Sequence, residues 1–284
     1  MNALFGTAGT PDDFKTMGFK SSADVPEYIT KMNLDTFEYQ CGQGVRIGKE
    51  LAVSLGEKAK SANISLSLHA PYYISLSSIE EEKRINSVNY ILQSAKAADF
   101  MGADRIIVHS GSCGKISRSE ALELAKATLK NAHDALVSEN LSHVRICPET
   151  MGKGNQLGDL AEVMELCKVD ESFIPCIDFG HLNARDCGGI PDKAAYEKIL
   201  DTIENELGSA VLADFHSHFS KIEYTAKGGE VRHLTFADTI YGPEFEPLME
   251  LIAKKNLSPR FICESAGTQG IDALAMKKYY LSKK

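Results

Sequence analysis

The chain of 284 residues carries 31 Lys and Arg against 39 Asp and Glu, for a formal charge of −8, and 43% of its residues are hydrophobic. This composition predicts a globular protein with a sizeable core and excludes a general nucleic-acid coat, because such coats bind phosphates through an excess of Lys and Arg. No stretch approaches the ~20 apolar residues of a membrane span and the N-terminus MNALFGTAGTPDDF lacks the features of a secretory signal, so we expect a cytoplasmic protein that does not bind membranes.

Short segments typical of β-strands occur eight times along the chain. They are ALFGTA from Ala3, TFEYQ from Thr36, ISLSLH from Ile64, RIIVH from Arg105, VRICPE from Val144, FIPCID from Phe173, VLADFH from Val211 and RFICE from Arg260. Segments between them place apolar residues at i, i+3, i+4 and i+7, which predicts helices. These are KELAVSLGEKAK, RINSVNYILQSAKAADF, SEALELAKATLKNAHDAL, GDLAEVMELC, YEKILDTIENEL and FEPLMELIAKK.

Strands that alternate with helices predict parallel pairing through right-handed crossovers. Eight such units, without a linker-like stretch to divide them, predict a single-domain α/β protein, a (β/α)8 TIM barrel over residues 1–284. A doubly wound sheet is the alternative, although FGTAGTPDD after the first strand is not the G-x-G-x-x-G fingerprint of dinucleotide-binding sheets.

The last residues of six successive predicted strands are of the types that bind metal ions. Catalytic groups of such barrels lie where the strands end, at the C-terminal face. Strands three to eight end in His69, His109, Glu149, Asp178, His216 and Glu264. A polar cap on a barrel strand explains any one of them, but six in succession are improbable from composition alone. The sequence therefore predicts a metal centre at this face.

Histidines close to these strand ends extend the candidate set. His181 follows Asp178 by three residues at a strand-to-loop turn. His218 shares a face with His216 by the two-residue period of a strand, and His233 follows in a loop. A set of His, Asp and Glu without Cys suits Zn²⁺ or Mn²⁺ in a catalytic rather than a structural site. Two carboxylates among these histidines can bridge ions, as in two-metal phosphodiester hydrolysis.

Basic and aromatic residues follow the predicted ligands in the loops. The basic residues that we assign to phosphate binding are Arg46, Lys153, Lys221 and Arg232. Tyr72 and Tyr73 come shortly after His69, where their rings could stack on bases or wedge into a duplex. For each residue taken alone, an ordinary exposed loop position or packing against the barrel rim is at least as good an explanation.

Six motifs resemble the endonuclease IV type of apurinic/apyrimidinic endonuclease. They are LHAPYYISL, VHSGS, PETMGKGNQLGDL, CIDFGHLNA, HSHFSK and ICES, in the order of that family and with similar spacing along nearly the whole chain. The resemblance implies a (β/α)8 barrel with three zinc ions that hydrolyses double-stranded DNA on the 5′ side of abasic sites, a reaction of base excision repair. We also expect a monomer.

The resemblance divides the candidate ligands among three zinc ions, with Glu149 and Glu264 as the catalytic carboxylates. The division implied is His69 and His109 on one ion, Asp178, His216 and Glu264 on a second, Glu149 bridging these two, and His181 with His233 on the third. For DNA contacts, the resemblance implies that Tyr72 and Tyr73 enter the minor groove and that Arg46 lies near a recognition loop after strand two.

The third zinc site departs from the pattern of the family. The family uses an Asp-x-His pair, but this spacing gives Val231-Arg232-His233 here, with Glu230 one place away. We expect Glu230 to replace the Asp, because the adjacent Gly228-Gly229 pair makes its loop adaptable.

Two other functions remain open. A sugar isomerase or epimerase of the xylose-isomerase-like barrels would place Glu, Asp and His around one divalent ion. A protein that binds damaged DNA would need only a vestigial metal centre. The six strand-end residues and the three further histidines are nine candidate ligands, more than one ion can use, which favours the multinuclear nuclease.

Overall fold

Parallel strands arranged as a barrel surround one interior in the computed structural model, which describes residues 2–227 and 229–284. The strands are β1 (Leu4–Ala8), β2 (Thr36–Gln40), β3 (Ser65–His69), β4 (Arg105–Val108), β5 (Arg145–Pro148), β6 (Cys176–Asp178), β7 (His216–Phe219), β8 (Lys221–Thr225), β9 (Gly229–Leu234) and β10 (Arg260–Cys263). The barrel sheet has the order β5-β4-β3-β2-β1-β10-β7-β6. Glu149, directly after β5, closes the ring through a parallel bridge to Cys176 of β6. The predicted TIM barrel is therefore confirmed, and the doubly wound alternative is wrong.

Helices cover the outside of the barrel between successive strands. They are α1 (Asp12–Thr16), α2 (Val25–Lys31), α3 (Lys49–Ser61), α4 (Glu81–Met101), α5 (Arg118–Ser138), α6 (Leu160–Cys167), α7 (Phe179–Arg185), α8 (Lys193–Leu207), α9 (Ser209–Asp214), α10 (Glu246–Lys254) and α11 (Gln269–Ser282). Capping boxes at Ser117 and Asp159 begin α5 and α6. The predicted helices correspond to α3, α4, α5, α6, α8 and α10. In the described part of the chain, no helix is both long and apolar enough to cross a membrane.

The predicted seventh strand, VLADFH from Val211, is wrong in its position. Residues Ser209–Asp214 form α9, which buries Leu212, and β7 begins only at His216. A short apolar run of this kind fits a helix and a strand equally well. His216 consequently lies at the start of its strand, and His218 lies two residues nearer to the C-terminal ends of the strands, which we call the mouth of the barrel.

An antiparallel hairpin of β8 and β9 extends from β7, where the sequence predicted an adaptable loop. Gly228 of the predicted Gly228-Gly229 pair lies outside the described residues. Gly229 is already part of β9, with a φ of 68° that glycine adopts without strain. Glu230 and His233 therefore lie on a paired strand that folds back toward the mouth.

Ion pairs between residues at the strand starts close the opposite end of the barrel, which we call the base. Arg105, Arg145 and Arg260 begin β4, β5 and β10. Carboxylate oxygens of Asp104 lie 3.0 Å from Nη2 of Arg105, 2.9 Å from Nη2 of Arg145 and 2.9 Å from Nη1 of Arg260. Asp214 adds a second carboxylate, 3.1 Å from Nη1 of Arg145. The base is thus a network of ion pairs in which three guanidinium groups surround two carboxylates.

Candidate metal centre

Glu149 lies at the mouth of the barrel, where histidines from three strands converge on its carboxylate. The side chain is 1% exposed. Nε2 of His109 lies 2.9 Å from Oε2, and Nε2 of His69 lies 3.2 Å from the same oxygen. Nδ1 of His218 lies 2.9 Å from Oε1. Since each carboxylate oxygen has its own imidazole neighbours, Glu149 is placed to bridge two metal ions.

A second group of donors shares Glu149. Donor atoms of Glu149, Asp178, His218 and Glu264 lie within 4.8 Å of one another. Asp178 caps α7, and its Oδ1 accepts a hydrogen bond of 2.7 Å from the backbone N–H of His181. Its Oδ2 is buried and accepts no hydrogen bond from any described residue. Its nearest charged neighbour is Nδ1 of His181, 3.3 Å away. Because a buried carboxylate oxygen without a hydrogen bond costs free energy, this group fits a metal ion.

A third group of donors joins α7 to the hairpin. Nε2 of His181 lies 3.5 Å from Oε2 of Glu230, and the rings of His181 and His233 are 5.5 Å apart. Donor atoms of these three residues also lie within 4.8 Å of one another. Glycine at position 152 lets Glu230 approach the backbone closely, since a Cβ at that position would lie 2.7 Å from Cβ of Glu230.

A β-bulge brings Glu230 and His233 to the same face of β9. Residues three apart on a regular strand point to opposite faces. The register of the hairpin shifts between Glu223 and Tyr224, which leaves Val231 as the extra residue on β9. The bulge therefore offsets the one-residue departure of Glu230 from the Asp-x-His spacing.

His218 takes the position at the mouth that the sequence analysis gave to His216. The expectation that the seventh strand ends at His216 is wrong, because β7 begins at this residue. Nε2 of His216 lies 3.0 Å from Oε2 of Glu38 in the interior. Burial lowers the pKa of His216 to about 4, so this imidazole is neutral at physiological pH. Its donor atoms also come within 4.8 Å of those of Cys176 and His218.

Glu38 of β2 is an interior carboxylate that the sequence analysis missed. It is 0% exposed and accepts hydrogen bonds from Oγ of Ser67 at 2.9 Å and from Nε2 of Gln40 at 3.2 Å. Its Oε1 lies 2.9 Å from Nε2 of His218. The alternation of aromatic and polar residues in TFEYQ indicates an inner-face position for Glu38, but Glu38 lies in the middle of its strand, whereas the catalytic groups of such barrels lie at strand ends.

Carboxylates and imidazoles of the centre hold one another in their charged forms. Burial disfavours the charged form of His69, but the hydrogen bond and charge of Glu149 raise its pKa to about 9. Burial also disfavours the charged form of His181, but the charges of Asp178 and Glu149 raise its pKa to about 9. Burial would raise the pKa of Glu149, but the charge of His218 helps to hold it well below its ordinary value. Metal ions at this site would therefore displace protons from the histidines.

A cavity of about 500 Å³ adjoins the centre and brings some of the predicted DNA-binding residues to it. Tyr72 and Lys153 line this cavity, whereas Tyr73 and Arg46 do not. Tyr72 and Tyr73 are 53% and 50% exposed, with their rings 5.4 Å apart. Lys153 and Arg46 are also exposed. All four side chains are therefore exposed, but of these four only Tyr72 and Lys153 adjoin the centre.

Lys221 is not available for DNA binding, so its assignment to phosphate contacts is wrong. The residue is 3% exposed, because β8 carries it into the protein. Its Nζ lies 2.6 Å from Oε1 of Glu244 and donates a hydrogen bond of 2.7 Å to the backbone carbonyl of Asp238. Arg232 differs, since its side chain is 71% exposed, although its Nε donates to Oε2 of Glu223 at 2.7 Å.

Relatives of known sequence match most of the chain. Residues 26–278 match the family described as xylose isomerase-like TIM barrel. The chain is 35% identical over 280 residues to an uncharacterized protein of Methanocaldococcus jannaschii, covering 97% of this chain and 96% of that protein. It is 28% identical over 209 residues to a probable endonuclease 4 of Mycoplasma pneumoniae, covering 72% of this chain and 68% of that protein.

Solved structures with the same fold include both nucleases and epimerases. The structure is similar to endonuclease IV from Thermus thermophilus, with a TM-score of 0.68 and 16% identity over 99% of this chain and 100% of that one. It is also similar to a D-tagatose 3-epimerase-like protein, with a TM-score of 0.71 and 18% identity over 98% of this chain and 97% of that one. At these identities the likeness shows the fold alone.

Proposed function

The chain belongs to the xylose isomerase-like TIM barrel family, and we propose that it is a metal-dependent nuclease that hydrolyses DNA 5′ to abasic sites. The match to this family, together with the probable endonuclease 4 among the relatives, confirms the predicted family resemblance. Members of this family include isomerases, epimerases and endonuclease IV-like proteins, so the fold does not decide the reaction. The proposal depends on the residues at the mouth.

The observation that carries the proposal is the division of the mouth donors into three connected groups. The first group is Glu149 with His69 and His109, whose Nε2 atoms lie 3.2 Å and 2.9 Å from its Oε2, and it would hold one ion. The second group is Glu149, Asp178, His218 and Glu264, and it would hold another. The third group is His181, Glu230 and His233, and it would hold a third ion. These are the ligands that we propose for three Zn²⁺ ions, with Mn²⁺ as the alternative metal. A sugar isomerase or epimerase with a single ion would use fewer than half of them.

The chain's own residues would bind and orient the DNA strand over this centre. Divalent ions, when bound, would activate water and stabilise charge on the reacting phosphate. Lys153 on the cavity wall would pair with a phosphate oxygen, and Tyr72 would place its ring in the gap left by the missing base. Glu149 and Glu264, the proposed catalytic carboxylates, would keep the ions of the centre close together.

The test is metal analysis of the purified protein together with incision of a DNA duplex. We expect close to three zinc ions per chain and cleavage of an end-labelled duplex on the 5′ side of a tetrahydrofuran abasic analogue, with no cleavage of the intact duplex. Glu149→Gln should lose both properties. Glu204→Gln, an exposed position on α8, is the matched control and should keep both.

Two results would overturn the proposal. At most one ion per chain, combined with interconversion of ketose sugars and no incision, would favour the sugar isomerase or epimerase. Tight binding of the abasic duplex with no incision under zinc-replete conditions would favour a damaged-DNA-binding protein.

A further inference from the structure

Glu38 reaches across the barrel interior to His218. In the sheet order, β1 and β10 lie between β2, which carries Glu38, and β7, which carries His218. Oε1 of Glu38 nevertheless lies 2.9 Å from Nε2 of His218, and both side chains are 0% exposed. Burying a carboxylate in a barrel core costs free energy that an apolar residue would avoid, unless the charge has close partners. The contact is therefore a candidate for a functional role.

Both oxygens of Glu38 are engaged by the protein. Oε1 accepts a hydrogen bond from Nε2 of Gln40 at 3.2 Å as well as facing His218. Oε2 accepts from Oγ of Ser67 at 2.9 Å and lies 3.0 Å from Nε2 of His216. Glu38 is consequently a neighbour of the metal centre and is not itself placed as a ligand.

The other ring nitrogen of His218 faces the centre. Nδ1 lies 2.9 Å from Oε1 of Glu149 and 3.6 Å from Oε1 of Glu264. A neutral imidazole carries its proton on one nitrogen only, and a metal ion binds the nitrogen without the proton. If Nε2–H donates to Glu38, the lone pair of His218 is left on Nδ1, where the other donors converge.

We propose that Glu38 is a positioning residue that fixes the ring orientation and tautomer of His218, so that His218 binds the second metal ion through Nδ1. The inference rests on the proposed function, because it requires an ion among Glu149, Asp178, His218 and Glu264. A carboxylate that accepts the remaining ring N–H of a ligating histidine also makes the bound nitrogen more basic. Glu38 thereby supports metal binding without contact with the metal ion or the DNA.

Zinc affinity of two Glu38 variants tests this proposal. Glu38→Gln keeps the volume and one acceptor oxygen but removes the charge, and Glu38→Met removes the acceptor as well. We expect the zinc affinity of the second site, which contains His218, to fall by about 10-fold in Glu38→Gln and by up to about 100-fold in Glu38→Met. Competition with a chelating indicator measures this affinity. Ser67→Ala is the matched control, because it removes the donor to Oε2 and leaves the contact of Oε1 with His218; its zinc affinity should stay at the wild-type value.

Long-range ¹H–¹⁵N spectra of the histidine rings provide a readout that does not depend on activity. In the zinc-loaded wild type and in Ser67→Ala, His218 should carry its proton on Nε2. In Glu38→Met, we expect a mixture of tautomers. Wild-type zinc affinity and a single Nε2–H tautomer in both Glu38 variants would overturn this inference alone. A wild type that binds no zinc at His218 would overturn the proposed function together with it. If Glu38→Met does not fold, the zinc affinity of Glu38→Gln decides the question, because Gln preserves the packing: a wild-type affinity in that variant would overturn the inference.

Discussion

The base and the mouth of the barrel both bury charged side chains, but the carboxylates at the base are paired with arginines, whereas those at the mouth face histidines. At the base, Asp104 lies within 3.0 Å of three guanidinium groups. At the mouth, Oδ2 of Asp178 accepts no hydrogen bond from any described residue, and Glu149 is faced by imidazoles. Guanidinium groups keep their charge at every physiological pH, whereas imidazoles are charged only while they hold a proton.

This difference separates a structural network from a site that can exchange its positive charge. The base gains nothing from a metal ion, since its carboxylates are already neutralised by arginine. The mouth can replace the protons of its histidines with metal ions, which bring more positive charge to the same carboxylates. The function that we propose therefore belongs to the mouth, and the two ends should respond differently to mutation.

The largest expected effect is the loss of metal ions from Glu149→Gln. The amide cannot bridge two ions, so we expect the first and second ions to be lost and incision to fall by more than the roughly 100-fold that a change outside the ligand shell can cost. Zinc content by elemental analysis and incision rates measure this. Asp214→Asn at the base is the control and should keep its metal ions; loss of metal from Asp214→Asn would show that the two ends are not independent.

Recognition at the mouth should depend on Tyr72 more than on Tyr73, because only Tyr72 lines the cavity. Tyr72→Ala should reduce discrimination between abasic and intact duplex by about 1–3 kcal/mol, the size of a base-stacking contribution. Tyr73→Ala, whose ring packs 6.0 Å from that of Tyr90, is the matched control with a smaller expected effect. Binding measured by fluorescence anisotropy decides this, and equal losses from the two variants would contradict the assignment.

The barrel and much of the mouth could be predicted from the sequence because strand ends are local features. The strands at His69, Glu149, Asp178 and Glu264 were identified at nearly the observed positions, and each places its polar end at the mouth. Strand ends carry the signal because inner-face residues alternate with outer-face residues up to the point where the strand runs out.

The remaining parts of the site depend on contacts between distant segments. The strand end was assigned to His216 instead of His218, because VLADF has the apolar pattern of a strand although it forms most of α9. Lys221 was assigned to DNA because its contacts with Asp238 and Glu244, 17 and 23 residues further along the chain, leave no local pattern in the sequence. The role of Glu38 depends on a contact across the barrel with His218, and no local pattern predicts such a contact.

At the base, Asp104→Asn should destabilise the protein without affecting metal binding. We expect a loss of about 1–2 kcal/mol, less than the 3–5 kcal/mol of a fully buried pair, because the Asp104 side chain is 42% exposed. Burial would raise the pKa of Asp104, but the charges of Arg260 and Arg105 hold it well below its ordinary value. Asp104 therefore stabilises the fold at neutral pH, and this contribution is lost as the pH falls below about 4.

Denaturant unfolding of the metal-free protein at several pH values measures this effect. The difference between the wild type and Asp104→Asn should be full at pH 7 and should narrow below about pH 4. A difference that stays constant with pH would show that the loss of stability comes from packing and not from the charge of Asp104.

The smallest expected effect is that of deleting Val231, the extra residue of the β-bulge. In the deleted chain, Glu230 and His233 become two positions apart, and on a regular strand residues two apart share a face. We therefore expect the deletion to leave the third ion within a few-fold of its wild-type affinity, whereas Glu230→Gln should lose that ion and keep the other two. Zinc stoichiometry and competition titrations of the two variants measure this. Loss of the third ion in the deletion, with the hairpin still folded, would mean that the bulge itself and not the shared face brings Glu230 to His181.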